Sequence, residues 1–145
     1  MADHDETCWF CNPDVRTDPP PGGWLVEDAT WRAGHVPAGY GPAGTVILET
    51  RRHVLDQSRF DGAEAASYAA TAGRLIGAVR EVTGCDRVYQ WATMDGFPHF
   101  HLWLVPWAEG SPTRGPRYLL DAIVDVEPDE DASNAAAARL HELLG

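Results

Sequence analysis

With 145 residues, 44% of them hydrophobic and 23% charged, the chain has the size and make-up of one globular domain with a real core. Its net charge of -11 argues against nucleic-acid binding, which needs clustered Lys and Arg to displace counterions. No apolar run reaches membrane-spanning length and the acidic opening "MADHDETC" is no secretory signal, so a cytoplasmic protein is expected.

In chain order, Cys8 and Cys11 form a CxxC, followed by turn and linker chemistry over 12–23, "NPDVRTDPPPGG". Residues 24–36 read as a short hairpin, and "TVILET" at 45–50 is a β-branched strand that ends at Arg51, Arg52 and His53. The clearest helix spans 61–83, with Asp61 as N-cap, Glu64 completing a capping box and Gly84 as C-cap. Its apolar stripe is Tyr68, Leu75, Ile76, Val79 and Val82. A strand at 87–94, a turn at 95–98 and the strand "HFHLWLVPW" at 99–107 make a second hairpin. "RYLLDAIVDV" at 117–126 reads as a strand or short helix, and 131–144 as a terminal helix capped by Asp131 or Ser133. The order β-β-β-α-β-β-α predicts an α+β domain with an antiparallel sheet.

Side chains alternate along a strand, so His99, His101, Trp103 and Val105 share one face while Phe100, Leu102 and Leu104 share a plain core face. A buried imidazole needs partners for its ring nitrogens, so two at alternate positions beside a CxxC point to a site. Zinc accepts sulfur and nitrogen in a tetrahedron, and CxxC supplies two thiolates from one tight loop. Among the six histidines, His4 and His141 read as surface residues and His35 lies in a turn-rich segment. His53 and His99 stand at strand ends that neighbouring strands can bring together, so a site from Cys8, Cys11, His53 and His99 is expected. The competing reading is that the two thiols are reduced, separate and inert. The unpaired Cys85 is expected to be a small buried hydrophobe.

"HFHLWLVP", the opening "CWFC" and "GTVILETRRH" at 44–53, in this order, resemble the zinc-bearing bacterial branch of the histidine triad (HIT) superfamily of nucleotide hydrolases and transferases. The resemblance covers 8–106. It implies a single HIT-like domain over 1–145, with a zinc-knuckle loop and linker at 1–23, a sheet of about five strands, one long helix and a C-terminal extension over 110–145. It implies zinc on Cys8, Cys11, His53 and His99, a homodimer, and His101 as the nucleophile that forms a covalent nucleotidyl-imidazole. A neutral imidazole suits that role when a backbone carbonyl fixes the tautomer at its other nitrogen.

The sequence departs from the family pattern at four places. Trp103 holds the third triad position, and "MDGFPHFH" replaces a Gln/Ser loop. Pro37 stands where an aspartate grips ribose, His35 being the nearest polar side chain, and Trp107 replaces an arginine. Trp91, Trp103 and Trp107 are candidates for one aromatic pocket, Trp91 reading as core. Arg51 and Arg52 are the adjacent cations expected to support an anion there. The expected function is hydrolysis or transfer of a nucleoside phosphate through His101. The alternatives are a divergent enzyme with a non-nucleotide small-molecule substrate and a non-catalytic binding module fastened by zinc.

Overall fold

The computed structural model describes residues 4–12, 16, 18–124 and 126–145. The expected 12–23 linker is therefore seen only in part, and Asp125 in 117–126 also lies outside the described residues.

Five antiparallel strands lie in the order β1-β2-β3-β5-β4: β1 Val26–Glu27, β2 Trp31–His35, β3 Val46–Thr50, β4 Arg87–Trp91 and β5 His101–Trp107. The β1–β2 turn is set by Asp28, whose Oδ1 accepts the Thr30 and Trp31 amide hydrogens at 2.8 and 2.7 Å. The second hairpin departs from expectation. β4 stops at Trp91 instead of 94, and β5 begins at His101, not 99. Met94 adopts a positive φ of 62°, which a strand residue does not, so the loop is longer than the predicted turn.

Helix α1, Gly62–Thr83, follows its capping signals. The Asp61 carboxylate accepts from Glu64 N–H, the Glu64 side chain accepts from Asp61 N–H, and Gly84 takes the left-handed C-cap conformation. Leu75 and Val79 are fully buried on the sheet, with Tyr68, Ile76 and Val82 packed at the margin of the same cluster. The 117–126 segment is helical, α2 Pro116–Val124, its proline occupying the first turn where no N–H is needed. Helix α3, Glu130–Leu144, is capped by Asp129, which accepts from Ala132 N–H at 3.0 Å, and not by Asp131 or Ser133. Asp131 lies in the first turn, where the dipole favours it, and Ser133 is buried.

The sheet has two unlike faces. Trp31, Val46, Leu48, Phe100, Leu102 and Leu104 face α1 and form the main core, which α3 joins through Leu140. The other face carries Ile47 opposite Trp103 and Glu49 opposite His101. Here α2 packs Leu119 and Ala122 on Val105, with Tyr89, Trp91 and Trp103 alongside. The rest is crossed by the N-terminal segment, a strap that lies flat partly because Gly34 has no side chain. A Cβ there would meet Pro20 Cβ and Cγ at 2.7 Å. Cys85 is half-buried against the main core, as a small hydrophobe should be. No helix among the described residues is long and apolar enough to cross a membrane.

Candidate functional site

Four side chains meet where the strap reaches the sheet end. Cys8 and Cys11 lie on a tight turn in which the Cys11 and Asn12 amides both donate to the Cys8 carbonyl. His53 follows β3 and His99 precedes β5, and the antiparallel pairing of those strands brings the two together. Their ligand atoms all lie within 4.8 Å of one another. His99 Nδ1 stands 3.4 Å from each sulfur, Cys11 Sγ is 3.5 Å from His53 Nδ1, and the two Nδ1 atoms are 3.3 Å apart. Zinc bonds of about 2.3 Å to sulfur and 2.0–2.1 Å to nitrogen give tetrahedral edges of about 3.5–3.6 Å for S–N and about 3.3 Å for N–N. The donor set therefore fits a four-coordinate ion of that size.

The surrounding bonds orient the donors. His99 Nε2 donates to the Thr50 carbonyl at 2.7 Å, leaving Nδ1 as the lone-pair nitrogen. Asp5 Oδ2 stands 3.9 Å from His53 Nε2. Burial holds the His99 pKa down to about 4, so the ring is neutral. Burial pushes the Cys11 thiol up to about 11, and a bound cation would pull it back down.

One pleat further on, His101 is buried with Nδ1 2.6 Å from the His99 carbonyl, to which it donates. Burial lowers its pKa, so the ring is neutral and Nε2 carries the lone pair. Nε2 has no hydrogen-bond partner among the described residues. His101 lines a pocket of about 280 Å³ whose remaining walls are aromatic (Trp9, Phe10, Tyr40, Phe97 and Trp103) or aliphatic (Val36, Pro37 and Ile47). The Phe10 ring covers both histidines, stacked 5.1 Å from His99 and tilted 4.8 Å from His101.

Of the residues expected to bind substrate, only Trp103 lies in this pocket. His35 is buried beneath the sheet face with both nitrogens engaged: Nδ1 donates to the Val36 carbonyl at 2.5 Å and Nε2 accepts from Gly44 N–H at 2.8 Å. The Arg51 guanidinium donates to the Asp28 carbonyl, and Arg52 holds Glu64, Asp61 and the Arg59 carbonyl at the start of α1. Both arginines serve the fold at the strand end. Trp107 is buried at the far end of β5, its Nε1 donating to the Thr113 carbonyl under the Arg114 guanidinium. Trp91 packs with α2, as its core reading predicts.

Sequence reasoning missed the pair that fastens the strap. Arg16 reaches Glu49 through two contacts of 2.7 and 2.6 Å, and its guanidinium lies over the rings of Trp9 and Trp24, 4.6 Å from each. Burial pushes the Glu49 carboxyl up while Arg16 opposes it. The legible signal was Glu49 itself, an acid among the apolar residues of "TVILET" on the face that carries His101.

No protein-family model and no curated protein matches the chain. Solved structures do. A HIT-like protein involved in cell-cycle regulation from Bartonella henselae, solved with an unknown ligand, superposes with a TM-score of 0.72 at 13% identity, covering 99% of this chain and 100% of that one. A histidine triad protein from Sinorhizobium meliloti gives 0.70 at 18% identity, covering 92% and 95%. A zinc-bound histidine triad family protein from Mycobacterium smegmatis gives 0.66 at 22% identity, covering 94% and 95%. The chain has the histidine triad fold.

Proposed function

We propose that this protein is a zinc-stabilised hydrolase or transferase of a small molecule in which His101 Nε2 is the reacting atom. The observation that carries the reading is the fixed tautomer. Nδ1–H is bound to the His99 carbonyl, so the lone pair of a neutral imidazole lies at Nε2, on the ring that lines the pocket. In the reaction Nε2 bonds to the electrophilic centre of the substrate, and the leaving group departs with its bonding pair and takes a proton from water. Water or another acceptor then attacks the same centre, loses its proton and frees His101.

Zinc on Cys8, Cys11, His53 and His99 is supported by the donor distances and by the zinc-bound neighbour of the same fold. Four protein ligands complete a tetrahedron, so the ion's part is to hold the strap against the sheet. The HIT resemblance also implies a homodimer, for which β4 offers an edge strand. The resemblance further implies a nucleoside phosphate as substrate, but the chain's own residues support the chemistry of His101 more than that substrate. None of the pocket's lining residues is cationic.

The test is trapping. Metal-loaded protein is incubated with activated nucleoside phosphates and with activated neutral esters, quenched, and weighed by intact mass spectrometry with peptide mapping. An adduct on His101 that is absent in His101→Ala is expected with one of the two classes. A protein that stays unmodified and turns over neither class refutes the reading.

A further inference from the structure

We propose that the pocket over His101 is a binding site for an uncharged aromatic ring, and that its walls and the Arg16–Glu49 pair together select against anions. This rests on the reading of His101 as the reacting residue only for its consequence in turnover; the binding itself stands on the pocket walls.

The rings come from separate parts of the chain: Trp9 and Phe10 from the strap, Tyr40 from the loop after β2, Phe97 from the β4–β5 loop and Trp103 from β5. Three are held in water to an unusual degree, Trp9 at 39%, Tyr40 at 60% and Phe97 at 51% exposure. Core packing does not account for apolar rings gathered at a mouth, whereas a ligand that covers them does. At about 280 Å³ the space is at the lower edge of the roughly 300–1,000 Å³ range of small-molecule sites, enough for one ring system.

Charge separates the ligand classes. The lining residues include no Asp, Glu, Lys or Arg, and the adjoining cleft that shares Trp9, Phe10, Val36, Pro37 and Ile47 brings Arg16 only together with Asp18 and Glu49. The nearest strap cation, Arg16, is neutralised by two contacts with Glu49, and Arg51 and Arg52 are engaged at the strand end and the start of α1. A phosphate entering here would leave water without a counter-charge, within the field of a chain of net charge -11. The polar groups that remain are neutral. The Trp103 indole N–H and the Tyr40 hydroxyl have no hydrogen-bond partner among the described residues, and both can donate to a carbonyl or hydroxyl oxygen on the ligand.

A matched pair of probes tests this: 2-naphthol and 2-naphthyl phosphate, titrated calorimetrically into the full metal-loaded chain. The expected result is saturable binding of 2-naphthol, with the phosphate at least tenfold weaker. Trp103→Leu should weaken 2-naphthol at least tenfold. Phe97→Ala, a change on an exposed loop that leaves the core intact, should weaken it about threefold. The proposal is overturned if the phosphate binds as tightly as the alcohol, if neither binds, or if both variants bind 2-naphthol like wild type. Naphthol binding by a protein that shows neither a His101 adduct nor turnover in the trapping experiment would refute the catalytic reading and leave this one standing. An adduct without naphthol binding would do the reverse.

Discussion

Cutting one side of the Arg16–Glu49 pair should destabilise the protein far more than removing both. The side chains are only 12% and 3% exposed, and the two contacts measure 2.6 and 2.7 Å. Arg16→Met leaves the Glu49 carboxylate unpaired in a site with almost no water, which costs about 3–5 kcal/mol. Glu49→Leu strands the guanidinium instead. Arg16 is nearer solvent, at 12% against 3% exposure, so that cost is smaller, about 1–3 kcal/mol. Arg16→Met/Glu49→Leu buries no charge and should lie within about 1 kcal/mol of wild type. At roughly 2–4 °C per kcal/mol for a chain of this size, Arg16→Met should melt about 10 °C low. The pH dependence has a definite sign. Burial raises the folded-state pKa of Glu49, and losing Arg16 removes the largest influence that lowers it. The deficit of Arg16→Met is therefore absent below the unfolded carboxyl pKa of about 4.3 and develops as pH rises through the folded pKa. Urea and thermal unfolding of the four proteins of the cycle, with metal kept saturating, measure all of this. A single variant within about 1 kcal/mol of wild type at pH 7, or a double variant as unstable as the sum of its singles, would refute the buried pair as described.

Two further predictions concern the strap. Metal binding should release protons, because burial holds the Cys11 thiol near 11 until a cation arrives; zinc affinity should rise by about tenfold per pH unit for each thiol proton displaced. Competition with a chromophoric chelator at pH 6 and pH 8 reads this, and a pH-independent affinity would rule out thiolate ligation. Gly34→Ala places a methyl 2.7 Å from Pro20 Cβ and Cγ, so the strap must move and stability should fall by about 1–3 kcal/mol, with faster proteolysis of the N-terminal segment. Wild-type protease resistance in that variant would mean that Pro20 does not rest on the sheet.

Elements whose signals are local were legible in the chain. Asp61, Glu64 and Gly84 bounded α1 because a capping box and a left-handed C-cap are complete within a few residues. The convergence of Cys8, Cys11, His53 and His99 was legible too, since CxxC, the strand-end histidines and the HIT resemblance point to the same four side chains. The cap of α3 was not, because "EPDEDAS" offers several acids in a row and only the path of the backbone selects Asp129.

The residues expected to bind substrate divide along the same line. Alternation alone placed His101 and Trp103 on one face, and the structure keeps them there. Nothing local indicated that His35 would spend both nitrogens on backbone, that Arg51 and Arg52 would serve the strand end and α1, or that Trp107 would bury itself away from the pocket. Those outcomes depend on partners far along the chain. The same is true of the strap, where Phe10 covers His101 because Arg16 finds Glu49 and the cysteines find His53 and His99. Periodicity and short motifs determine what one strand or helix presents; which neighbour answers it is decided only when contacts between distant segments form together.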